Sequence, residues 1–232
     1  MAKTYWQKLG HFWIILILFV LGGGIFLRLA FLGEYPVGFS SQEALLGYRG
    51  KLLSTSLIDE TARRLPLFFS SFKGYQDPVS SYLVAFSVKA FGLKEGAVRL
   101  PFSILGCLGL IAFFNICRIL FPKDKWLSFW AVLVFALSPW HVFLSRTFST
   151  PTLFLNFFLL LLWLFLVLKT KKKFKAIKVL AGILFLSSAF LIFSYFRLPG
   201  AKQNFIEANF GFFKNPAIIN SINQMRGEDL QV

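Results

Sequence analysis

An all-α, polytopic membrane protein is the fold class this sequence predicts, and three observations predict it. Of its 232 residues, 56% are hydrophobic and only 15% are charged, whereas soluble globular domains carry about 25% charge. The mean hydropathy is +0.67. Apolar runs near the length a bilayer requires, about 20 residues, recur along the chain and are separated by short basic loops.

Residues 12–32, "FWIILILFVLGGGIFLRLAFL", predict the first span. Lys3 and Lys8 precede it and no small-residue cleavage site follows, so it reads as a retained span and not a removed signal peptide. The glycines at 22–24 predict close helix packing. Residues 33–97 form a large polar first loop holding Glu34, Glu43, Asp59, Glu60 and Asp77. Within it, 77–92 is apolar but short and is interrupted by Lys89, which predicts an interfacial or re-entrant helix. Four further spans are predicted at 98–121, 126–144, 152–168 and 179–196, followed by a polar tail at 201–232. This gives about five transmembrane helices and a large extracytoplasmic first loop carrying short interfacial helices.

Orientation follows from the short loops. Residues 169–178 hold six lysines, and the loop 122–125 is basic beside Arg118. Both are predicted to be cytoplasmic, as is the N-terminus. The net charge of +15 therefore points to anionic membrane lipid and topology signals. It does not point to nucleic acid, because no basic patch belongs to a soluble domain. Cys107 and Cys117 lie ten residues apart on one predicted helix, about 15 Å along its axis, which is too far for a disulfide. Few ionisable residues fall inside the spans, which argues against a channel or transporter.

The stretch "PVGFSSQEALLGY" at 36–48 follows the first span and carries the polar pair Gln42–Glu43. Glu43 is a candidate site carboxylate, and Ser40 with Glu43 also fits a capping box. Arg99 and Arg146 sit at span ends, where a guanidinium fork suits phosphate oxygens or anchors in headgroups. His141 stands beside Trp140 near Phe143, as a substrate contact or an interfacial polar residue. Asp59 and Glu60 are candidate substrate contacts, or partners of Arg63 or Arg64.

Five stretches taken in order resemble the N-terminal module of the GT-C superfamily of polyprenyl-phosphate-sugar-dependent membrane glycosyltransferases. These include the protein O-mannosyltransferases, the lipid A aminoarabinose transferases and related bacterial transferases. The stretches are "PVGFSSQEALLGY", "DETARRLPLFFSSFKGYQDPVSSYL", "FGLKEGAVRLPFSILG", "LSPWHVFLSR" and "SYFRLPG". The resemblance covers most of 12–200. It implies a protein of the plasma (inner) membrane that moves a sugar from a polyprenyl-phosphate donor to an extracytoplasmic acceptor. Glu43, with Gln42 beside it, would serve as base or metal ligand, with a divalent ion assisting. Arg146 and Arg99 would hold phosphate, and Asp59, Glu60, Tyr75, Asp77 and His141 would contact substrate.

The sequence departs from the family pattern in three places. Gln42 stands where the family has aspartate, Thr150 where a second acid is expected, and Asp77 where a proline is expected. Sugar transfer needs a base for the acceptor's proton and positive charge for the departing phosphate. An amide cannot take that proton and is a poor ligand for a hard cation. Losing a general base costs on the order of 10²–10⁴ in rate. Family members also continue with further spans. Two expectations result: a truncated or impaired transferase, or a non-catalytic relative that binds lipid-linked sugar or a partner membrane subunit.

Overall fold

The computed structural model describes residues 11–71, 74–76 and 78–172, with single positions between 176 and 194. Apart from those positions, the expected fifth span at 179–196, "SYFRLPG" and the tail at 201–232 lie outside the described residues. The described chain falls into two compact units. One holds the described residues up to Pro66 and from Pro78 to 172, and the other includes residues 67–77.

In the first unit the helices are α1 (His11–Leu29), α2 (Ser41–Ser56), α3 (Pro78–Phe91), α4 (Glu95–Leu120), α5 (Lys125–Leu137), α6 (Pro139–Arg146) and α7 (Thr150–Thr170). In the second, β1 (Phe69–Ser71) pairs antiparallel with β2 (Gly74–Gln76), Ser70 opposite Tyr75.

α4 and α7 are each long and apolar enough to cross a membrane, and α5 with α6 is apolar and long enough only when the two are taken together across a 48° bend. This is an all-α integral membrane protein. Two spans, or three with the bent pair, therefore stand among the described residues against the five expected. α1 is apolar throughout but 19 residues long, about 28 Å, just under the hydrocarbon thickness. α3, at 14 residues, is about 21 Å long and too short to cross.

α4 is the hub. It packs against α1 and α5 through Val20, Leu110, Phe114, Cys117, Val132 and Ala136. It meets α2, α3 and α7 through Leu46, Val84, Val98, Phe102 and Leu153. A third cluster joins it to α7 at Ala112, Ile116 and Leu159. Cys107 and Cys117 are both free and buried on this helix.

Local sequence explains the ends and breaks. Ser40 caps α2: its Oγ accepts from Glu43 N–H at 3.2 Å, and Ser40 N–H donates to Glu43 Oε2 at 3.0 Å. Asp124 caps α5 by accepting from Leu127 N–H at 3.0 Å. Two prolines interrupt the helical ladder. Proline has no N–H, so it frees the carbonyl four residues back. Pro101 lies inside α4, and the freed Ala97 carbonyl accepts from Ser87 Oγ of α3 at 2.6 Å. Pro139 opens α6 after a 48° bend, and the freed Phe135 carbonyl accepts from Arg28 of α1 at 3.3 Å.

Without a hydrophobic drive between helices in lipid, close packing depends on small residues. A Cβ at Gly109 would lie 1.9 Å from Asn156 Oδ1, and one at Gly106 would lie 2.5 Å from Ser145 Cβ. These two glycines let α6 and α7 approach α4. Gly22 and Gly23 face open space. Gly106→Ala should therefore destabilise the detergent-solubilised protein by about 1–3 kcal/mol, as overpacking does, while Gly22→Ala should leave its thermal midpoint unchanged or higher. Thermal unfolding of the two variants checks this.

Candidate functional site at the first-loop end of the bundle

The C-terminal end of α1, the N-terminal ends of α2, α4 and α7, and the C-terminal end of α6 gather at one end of the first unit. Their polar side chains form two layers.

The outermost layer centres on Arg99, fully buried on α4. A guanidinium has five N–H donors, and five oxygens meet them. Nε donates to Glu43 Oε1 at 3.1 Å. Nη1 donates to the Leu32 and Pro36 carbonyls at 3.3 and 3.0 Å. Nη2 donates to the Gly38 carbonyl at 2.6 Å and to Glu43 Oε2 at 3.4 Å. Glu43, 2% exposed, receives two further donors, Ser40 N–H at 3.0 Å and Phe148 N–H at 3.4 Å. A carboxylate offers about four lone-pair sites, and all four are taken. Such a donor set, with a guanidinium against the carboxylate, does not suit a divalent cation. Nor does any group of three His, Cys, Asp or Glu gather among the described residues. No step is therefore assigned to a metal.

Arg146, half-buried at the end of α6, ties down the end of α1. It donates to the Leu27, Ala30 and Tyr35 carbonyls at 2.5, 2.6 and 3.0 Å. The last carbonyls of a helix have no intrahelical partner; Arg146 supplies one to Leu27 and bonds three carbonyls just beyond the helix.

A deeper layer joins α1, α6 and α7. Arg28, fully buried, donates to the Gly24 and Ala136 carbonyls at 2.8 and 3.0 Å. Its Nη2 lies 2.8 Å from His141 Nδ1. Arginine only donates, so Nδ1 accepts and the His141 proton sits on Nε2. That Nε2 then donates to Asn156 Oδ1, 3.2 Å away, and Asn156 Nδ2 donates to the Thr152 carbonyl at 2.9 Å.

A separate polar cluster holds the turn after α2. Asp59, 1% exposed, accepts from Thr61 Oγ1 at 2.8 Å, Arg63 N–H at 2.8 Å and Thr61 N–H at 2.9 Å, and pairs with Arg63 at 3.0 Å. Burial alone would raise its pKa, but those hydrogen bonds and the Arg63 charge outweigh it and hold the carboxyl below the usual range. Glu60 pairs with Arg49 of α2, whose side chain is fully buried.

The predicted residues thus divide. Glu43, Arg99 and Arg146 come together around the segment 27–38, and His141 lies in the layer beneath. Asp59 and Glu60 brace the turn after α2 through Arg63 and Arg49. Gln42 is exposed on the first turn of α2, and Thr150 opens α7. Tyr75 has its backbone in the hairpin, while its side chain and Asp77 lie outside the described residues. Sequence reasoning passed over Arg28, Arg49, Asn156 and Glu95. For Arg28 a signal existed: a lone cation in an apolar run requires a buried partner.

An open cleft of about 550 Å³ adjoins the outermost layer. It is walled by Leu32, Gly33, Phe91, Leu100 and the first turn of α4, with Lys94 and Glu95 on its rim. Glu95 Oε2 stands 3.8 Å from Arg99 Nη1.

A family profile described as dolichyl-phosphate-mannose-protein mannosyltransferase matches residues 75–198, just over half of the chain. The matched stretch includes Glu95, Arg99, His141 and Arg146, and it begins after Gln42 and Glu43. No curated protein and no solved structure matches the chain.

Removing one member of a buried ion pair leaves an uncompensated charge and costs about 3–5 kcal/mol. Glu43→Gln and Arg99→Leu should each lower the thermal midpoint of the purified protein strongly, and the double variant should lose less than the two single losses added together. Asp59 supplies a pH signature. Its lowered pKa means its stabilisation is complete above the unfolded value of about 3.9 and is lost as pH falls through the folded value. Limited proteolysis of the 57–65 turn should accelerate on acidification in the native chain. In Asp59→Asn it should already be fast at neutral pH and should not respond further.

Proposed function

The chain belongs to the dolichyl-phosphate-mannose-protein mannosyltransferase family, a family of GT-C membrane glycosyltransferases, and from that membership we propose that it transfers a sugar from a polyprenyl-phosphate donor to an extracytoplasmic acceptor. On this reading it sits in the plasma (inner) membrane with its N-terminus in the cytoplasm, and the first-loop end of the bundle faces outward. The basic inner loops support that orientation.

The observation that carries the proposal is the cleft. It is an open groove whose lining is mostly apolar and includes the charged Lys94 and Glu95. A polyprenyl phosphate has the same division, an apolar chain and a charged head. The half-buried guanidinium of Arg146 and the Lys94 ammonium are the positive groups suited to a phosphate. Arg99 offers it no unmade hydrogen bond, so its part is to fix the loop 32–38. Gln42, exposed at the head of α2, is a contact for the sugar or acceptor. His141 acts from beneath by holding the kink between α5 and α6.

A second reading, a non-catalytic relative that binds lipid-linked sugar or a partner membrane subunit, is favoured by one observation. Glu43 and Arg99 are saturated by each other and by surrounding backbone groups, and Gln42 stands where the resemblance places an acid. The test is sugar transfer from a labelled polyprenyl-phosphate sugar mixture in membranes containing the full chain. Label entering the acceptor fraction above empty membranes is the expected result. Retention of donor by the protein without any transfer would favour the binding relative.

A further inference from the structure

We propose that Glu95, and not Glu43, is the proton acceptor for sugar transfer, working in the cleft beside Lys94. This rests on the reading of the chain as a polyprenyl-phosphate-dependent transferase.

A general base must present an open lone pair within hydrogen-bond reach of the hydroxyl it deprotonates. Glu43 is 2% exposed and accepts from four N–H groups. Asp59 is 1% exposed and bound by Thr61 and Arg63. Glu60 is tied to Arg49. Asp124 caps α5, at the far end of the bundle. Glu34 is exposed but does not line the cleft. Glu95 differs from all of these. Its side chain is 47% exposed, its one ion pair is the long 3.8 Å approach to Arg99, and it borders the 550 Å³ cleft. It also lies within the family-matched stretch, which Glu43 does not.

The cleft supplies the remaining parts of the reaction. Leu32, Phe91 and Leu100 offer apolar wall to a prenyl chain, and Lys94 offers positive charge to the phosphate. In the transfer step the acceptor oxygen forms a bond to the anomeric carbon of the sugar. The bond from that carbon to the phosphate oxygen breaks, and its electron pair leaves with the polyprenyl phosphate. The acceptor's hydroxyl proton moves to a Glu95 carboxylate oxygen. The Arg99 charge 3.8 Å away attracts that carboxylate without a hydrogen bond that would occupy it.

The experiment compares native, Glu95→Gln and Glu95→Asp full-length chains in membranes, with the labelled polyprenyl-phosphate sugar mixture as donor. Glu95→Gln should lower kcat by about 10²-fold or more, leave the donor KM unchanged and abolish the acid limb of the kcat–pH profile, with an unchanged thermal midpoint. Glu95→Asp should keep the acid limb and part of the rate. Native kcat and acid limb in a folded Glu95→Gln chain would overturn the assignment alone. So would a folded Glu95→Asp chain as inactive as Glu95→Gln. Absence of transfer by the native chain would overturn the transferase reading and this assignment together.

Discussion

The buried pair of Arg99 and Glu43 is the constraint on which this end of the molecule depends. Burying two charges is expensive, and their attraction offsets the loss only when every remaining donor and acceptor is matched. Here the matching is complete, and the matched groups come from four pieces of chain. The Leu32, Pro36 and Gly38 carbonyls come from the link between α1 and α2. Ser40 and Glu43 open α2, Arg99 lies one turn into α4, and Phe148 lies between α6 and α7. One ion pair therefore sets where four segments stand relative to each other. A link of this sort, with every lone pair engaged, makes a frame and not a reagent.

The same logic runs deeper into the bundle, where prolines create the demand. A helix in lipid can satisfy its backbone only from within, so a proline-freed carbonyl must find another donor. Ser87 reaches the carbonyl freed by Pro101, and Arg28 reaches the one freed by Pro139. Arg28 then reaches His141, and His141 reaches Asn156. Gly106 and Gly109 make room for these contacts. The break between α5 and α6 is thus stabilised by a polar chain across three helices, and it aims α6 so that Arg146 meets the end of α1.

Hydropathy made the apolar helices legible, because the bilayer dictates their length and composition. The capping box of α2 was equally plain, since a serine three residues before a glutamate has a local geometric meaning. Asp59 with Arg63 could be read from their spacing of four. What could not be read was which oxygens an arginine would meet. A guanidinium fork suits the paired oxygens of a phosphate, but for Arg99 a carboxylate and three backbone carbonyls take all the donors, and only the fold decides which oxygens are near. Glu60 with Arg49 stayed hidden because their contact closes across the end of a helix. Arg28 was overlooked although Pro139 announced a freed carbonyl at Phe135, because nothing in the sequence says that the two lie side by side. The span at 126–144 read as one helix, since hydropathy does not register a bend.

This division between matched and open charge bears on where chemistry can occur. A group whose lone pairs are all engaged must break native contacts before it can take a proton or a ligand, and the barrier to reaction then includes the loss of the frame. A half-exposed group bordering a cleft, with no hydrogen bond to break, pays no such penalty. Burial therefore sorts the charged residues by role. Glu43, Arg99 and Asp59 hold the architecture because they are saturated. Lys94 and Glu95 are fit for substrate because they are not, and their positions follow from the frame that the saturated set maintains: the ion pair that fixes the loop 32–38 also fixes Leu32 and Gly33, one wall of the cleft in which Glu95 stands.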